Sequence, residues 1–117
     1  MTYKKLTSTR ITDTQTAPVL VYRASVDTIV SKIYVHNPED HTDARVRIYF
    51  VDKKSPNEYD SATDTINENI TQAFDILIPG LDTVSVGNGI TLSSDQCIYA
   101  KSIGGNATIH IFGKTLV

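Results

Sequence analysis

A chain of 117 residues with 40% hydrophobic and 21% charged content fits one domain around a single modest core and excludes an intrinsically disordered protein. The net charge is −2, and the cations cluster only at Lys4-Lys5, Arg45 with Arg47, and Lys53-Lys54, which argues against a nucleic-acid binder with one concentrated basic face. No apolar run approaches the ~18 residues that span a bilayer, the N-terminus lacks the apolar centre of a secretion signal, and the lone Cys97 precludes an internal disulfide and fits synthesis in a reducing compartment.

Residues 1–18 are polar and threonine-rich, with Leu6 and Ile11 as the aliphatic anchors and Pro18 closing the segment. They read either as a first edge strand with a loop or as an extended arm lying on a neighbouring subunit. The expected division is an N-terminal arm at 1–18 and one β-sandwich domain at 19–117 with a long loop at 53–71. Residues 19–22 form a short apolar run, and residues 28–36 a longer strand with Ile29, Ile33 and Val35 on one face. Asn37-Pro38 then starts a turn. Residues 44–52 show the clearest alternation: Ala44, Val46, Ile48 and Phe50 point inward, Arg45, Arg47 and Tyr49 outward. This strand and the one before it are expected to form a hairpin.

Residues 53–71 have no periodicity and allow at most a short helix using Ile66 and Ile70. A loop of this length in a compact domain is commonly functional or an interaction element. Phe74, Ile76 and Ile78 alternate into Pro79-Gly80, residues 82–86 form a brief strand, Gly87-Asn88-Gly89 turns, and residues 90–96 run into a polar turn. Residues 98–102 and 107–112 flank Ile103-Gly104-Gly105-Asn106 and read as a second antiparallel hairpin. Its buried face is Ile98, Ala100, Ser102, Ala107, Ile109 and Ile111. Eight or nine short strands with almost no helix predict an all-β, antiparallel two-sheet sandwich of jelly-roll type. The expected core joins Ile33, Val35, Val46, Ile48, Phe50, Ile76, Ile98, Ile109 and Ile111.

Chemistry-bearing constellations are scarce. His36 and His110 fall at outward strand positions and His41 in a loop, with neither helical i, i+4 spacing nor a zinc-type cysteine partner. The acidic stretch Glu39-Asp40-His41-Thr42-Asp43 lacks the spacing and glycine of a calcium loop. There is no G-x-S-x-G elbow, and Gly87-Asn88-Gly89 is too short for a phosphate loop. Asn69-Ile70-Thr71 and Asn106-Ala107-Thr108 match the glycosylation sequon without an export signal. The expectation is a non-enzyme with no catalytic residue, cofactor or metal.

The order T-I-V-S-K-I-Y-V-H-N (28–37), V-R-I-Y-F (46–50), F-D-I-L-I-P-G-L-D-T (74–83), G-I-T-L-S-S-D-Q-C-I-Y-A-K-S (89–102) and A-T-I-H-I-F-G (107–113) resembles small β-sandwich virion proteins of tailed bacteriophages. The resemblance spans about residues 19–113 and leaves 53–71 outside it. It implies a structural protein of the virion, made in the host cytoplasm, with capsid decoration (cement) foremost and a neck or tail/fibre attachment as the alternative. A carbohydrate-binding adhesion jelly roll and a small enzyme on a β scaffold stand as readings of other classes. The implied partners are the chain itself, as a homotrimer, and the major capsid or other virion proteins, with neither nucleic acid nor membrane. The expected contact residues are Tyr3, Leu6 and Ile11 of the arm and Tyr59, Ile66 and Ile70 of the loop.

Overall fold

A computed structural model describes residues 3–87 and 89–116. Its elements are β1 (Lys4–Ile11), β2 (Val19–Arg23), β3 (Thr28–His36), β4 (Ala44–Asp52), β5 (Tyr59–Asp60), β6 (Thr65–Ile66), α1 (Glu68–Thr71), β7 (Gln72–Ile78), β8 (Thr83–Val86), β9 (Ile90–Leu92), β10 (Gln96–Ile103) and β11 (Ala107–Thr115). Sheet A runs β1-β11-β3-β8, with β9 continuing beside β8 along β3; sheet B runs β2-β10-β4-β7. All of these pairs are antiparallel. Nine strands therefore make the sandwich, and β5 and β6 pair separately within the 53–71 loop. With β8 and β9 counted as one interrupted strand, the order is that of an eight-stranded jelly roll.

Neither expected hairpin forms. β3 lies in sheet A and β4 in sheet B, and β10 and β11 are likewise split between the sheets. The intervening turns carry the chain across the sandwich instead of folding a strand onto its neighbour. Alternation specifies which side chains point inward but not which sheet receives the strand, so a turn signal between two alternating runs fits either arrangement. At the second corner Gly104 takes a φ of 80°, and a Cβ on the buried Gly105 would press against the Asp43 carbonyl oxygen at 3.1 Å. The glycines there let two inter-sheet corners pack together.

The core lies where the inner faces meet. Ile33, Val35, Val46, Ile48, Ile98, Ile109 and Ile111 are buried in one cluster, and Phe50 and Ile76 pack on its rim. Burial of these side chains contributes about 1.5–3 kcal/mol each before entropic costs. Ile29 departs from expectation: Val30 and Thr28 are buried in its place. Phe112 pairs with Lys32 but Gly113 with Val30, so Ser31 is an extra residue that reverses the phase of β3. A Cβ on Gly113 would overlap the Ile29 carbonyl oxygen, which explains glycine at that point of the ladder.

The N-terminal arm gives way to an edge strand. β1 pairs with β11 along its length, Ile11 is fully buried, and Leu6 packs on the core from a bulge between Lys5 and Thr7. Met1 and Thr2 of the expected arm, and Asn88 at the centre of the Gly87–Gly89 turn, lie outside the described residues.

Candidate functional site

The histidines do not converge. His36 Nδ1 lies 2.8 Å from Thr83 Oγ1, and His110 Nδ1 lies 2.8 Å from Ser8 Oγ; both are on the outer face of sheet A. His41 sits apart in the β3–β4 turn, exposed and 3.3 Å from Asp40. Among the described residues no group of three His, Cys, Asp or Glu side chains could hold a metal ion. Cys97 is buried, and burial raises its thiol pKa despite the nearby charges of Lys53 and Arg23. In the open cleft of about 300 Å³ between residues 13–16 and 101–104, the Ser102 hydroxyl donates to the Gly105 carbonyl oxygen and Lys101 Nζ donates to Glu68.

The 53–71 segment is a lid on the outer face of sheet B. Tyr49, Val51, Cys97 and Tyr99 occupy outward positions of β4 and β10, yet they are buried as a second apolar cluster beneath Tyr59 and Ile66. Polar contacts fasten the lid at both ends. The Tyr49 hydroxyl donates to Glu68 Oε1 at 2.8 Å, and Lys101 Nζ donates to the same oxygen at 2.9 Å. The Asp52 backbone N–H donates to Glu58 Oε1 at 3.1 Å, and Lys53 Nζ stands 4.9 Å above the Tyr59 ring. Burial first, then the hydrogen bond to Glu68, pushes the Tyr49 hydroxyl pKa well up. Burial also works to raise the Glu68 pKa, but the hydrogen bonds and charge from Lys101 and Tyr49 outweigh it, so the carboxyl is held below its ordinary value.

The structure therefore divides the six expected contact residues. Leu6 and Ile11 belong to the main core and Tyr59 and Ile66 to the lid cluster, so all four anchor inside the chain. Tyr3 and Ile70 are each 57% exposed, one beside β1 and the other in α1. A threonine-rich strand and an unpatterned loop look partnerless in sequence; here both find their partner within the same sandwich.

What sequence reasoning missed is the outer face of sheet A. Lys5, Arg10, Lys32, His36, His110 and Lys114 point outward from β1, β3 and β11, and Tyr34 meets Phe112 edge-on among them at 5.8 Å. The five strands of this sheet contain no Asp or Glu. Elsewhere five of the six cations are matched, Arg23 and Lys54 with Asp95, Arg45 and Arg47 with Asp75, Lys101 with Glu68, and the sixth, Lys53, stands over the Tyr59 ring. Among the described residues no ion pair reaches the cations of sheet A. His110 feels this concentration, since burial and then the charges of Lys5 and His36 lower its pKa. Compared with family models, curated proteins and solved structures, the chain matches none.

Proposed function

We propose that this chain is a non-catalytic structural protein of a tailed-bacteriophage virion, acting foremost as a homotrimeric decoration protein on the capsid. A neck or tail attachment is the alternative position. The observation that supports it is the contrast between the two outer faces: one is partly covered by the chain's own lid, the other carries cations that no ion pair reaches among the described residues. A β face without convergent chemistry suits docking better than catalysis. The jelly-roll strand order is one that viral capsid proteins use.

Self-association in this reading uses faces more than strand edges. Three edge strands carry bulges: at Leu6 in β1, Val21 in β2 and Ala73 in β7. Bulged edges discourage edge-to-edge pairing. The uncovered part of sheet B instead presents Leu77, 53% exposed, in line with Arg45 and Ile103 across β7, β4 and β10, and supplies an apolar contact between copies. Light scattering after size exclusion, with mass spectrometry of purified particles, tests the proposal. A trimer found in the particles is the expected result. A monomer at high micromolar concentration that is absent from the particles overturns it.

A further inference from the structure

We infer that the outer face of sheet A is a docking surface for an acidic protein surface, whose carboxylates meet Lys5, Arg10, Lys32 and Lys114. The protein nature of the partner rests on the particle-protein reading; the charge of the partner does not. The strands of sheet A hold five Lys and Arg and no acidic residue. Against a net charge of −2 for the chain, those five cations leave −7 for the rest. A molecule polarised in this way presents sheet A first to a negative surface and turns its remaining surface away.

The geometry favours carboxylates over a strand of nucleic acid. Base stacking needs open ring faces. Here Tyr34 and Phe112 are packed edge to face, 82° apart, and the ring of Tyr3 is capped by Lys114 Nζ at 4.8 Å. Acidic residues also stand just beyond the face in the chain, with Asp13 after β1, Asp27 before β3 and Asp82 before β8. A polyanion running off the sheet would meet them, whereas a compact acidic patch would not. Four strand positions at about 4.8 Å spacing, with strands of up to nine residues at about 3.3 Å each, make a face of roughly 15 by 30 Å, about 450 Å², below the roughly 800 Å² per partner of a standard interface. Single docking is accordingly weak, and an oligomer that engages several such faces at once multiplies it.

The test uses the full chain with two labelled probes, a hexaglutamate peptide and a hexathymidylate, followed by fluorescence anisotropy at about 20 mM salt. The expected result is saturable hexaglutamate binding, tighter than hexathymidylate binding, that weakens about tenfold or more in Lys5→Glu/Lys32→Glu. The charge-matched Lys53→Glu/Lys54→Glu should change it less than about threefold, with circular dichroism confirming that both variants fold. Tighter binding of hexathymidylate through the same lysines makes the face a nucleic-acid surface and overturns the inference. Equal losses in both variants, or no saturable binding of either probe, overturn it as well. So does low-salt self-association that Lys5→Glu/Lys32→Glu abolishes, because the occupant is then a second copy. Absence from particles with hexaglutamate binding intact refutes the particle reading and leaves the charge of the partner standing.

Discussion

The two outer faces of this sandwich start from the same strand geometry and end differently. On sheet B the outward positions of β4 and β10 hold Tyr49, Val51, Cys97 and Tyr99, and a lid of 19 residues folds over them. On sheet A the outward positions hold cations, hydroxyls and an edge-on aromatic pair, and among the described residues no such lid packs over them. The cations of sheet B are matched by Asp75, Asp95 and Glu68, while those of sheet A have no acidic neighbour on their own strands. Alternation divides a strand into an inner and an outer side and says nothing about whether the outer side meets water. Composition at the outward positions decides that: apolar and aromatic side chains recruit a cover, charged ones repel it.

The largest expected effect lies where the two faces do not differ, in the shared core. Ile48→Ala or Ile109→Ala, each fully buried between the sheets, should cost about 2–5 kcal/mol in urea unfolding. An unchanged midpoint for both would remove the frame on which the comparison stands, since it would place the inner face elsewhere.

A pair of tyrosines sharpens the comparison next. Tyr49→Phe deletes the hydroxyl that donates to Glu68 beneath the lid and should cost about 1–3 kcal/mol. Tyr34→Phe, on the bare face, should stay within about 0.5 kcal/mol. Equal losses in denaturant melts would mean that the lid adds no second core.

The inner face was legible in the sequence because all nine expected core residues sit at period-2 positions, and seven of them are buried in one cluster. Ile29 was misplaced because one extra residue, Ser31, reverses the phase, and a bulge leaves no mark in a string of β-formers. The lid cluster has a signal in the sequence: Val51 and Cys97 are apolar at outward positions, which a solvent-facing strand has little reason to hold. The cationic face had none, because Lys5, Arg10, Lys32 and Lys114 are scattered over the whole length of the chain. Only the β1-β11-β3 order brings them side by side, and that order depends on pairing between strands more than 70 residues apart. The same non-local pairing made two inter-sheet corners look like hairpins.

Acid should loosen the lid before the core. The Glu68 carboxyl is held below its ordinary value of 4.5, so its contribution is complete above that pH and is lost as the pH falls through the lower folded value. Stability measured by urea melts from pH 6 down to pH 3 should therefore decline more steeply in the native chain than in Glu68→Gln. Parallel profiles would show that Lys101 and Tyr49 do not favour the charged carboxylate, and the lid would then be held by Tyr59, Ile66 and the contacts of Glu58 and Lys53.

The smallest effect probes whether sheet A carries a continuous field or merely a set of separate charges. His110 on β11 faces Lys5 and Arg10 of β1 and Lys32, Tyr34 and His36 of β3, with Ser8 on its ring nitrogen. Burial and then the charges of Lys5 and His36 lower its pKa. A histidine lowered in the folded state binds its proton more weakly there than in the unfolded chain. Its contribution to stability is thus complete above the ordinary value of about 6.5, falls as the pH drops from there to the folded value, and is level below it. A titration of the imidazole signals by NMR should place His110 below that ordinary value, and both Lys5→Gln and added salt should move it upward. Salt screens only charges that act through solvent, whereas burial is indifferent to it. A His110 curve that ignores both changes would assign the whole shift to burial, and the cations of sheet A would then act one at a time.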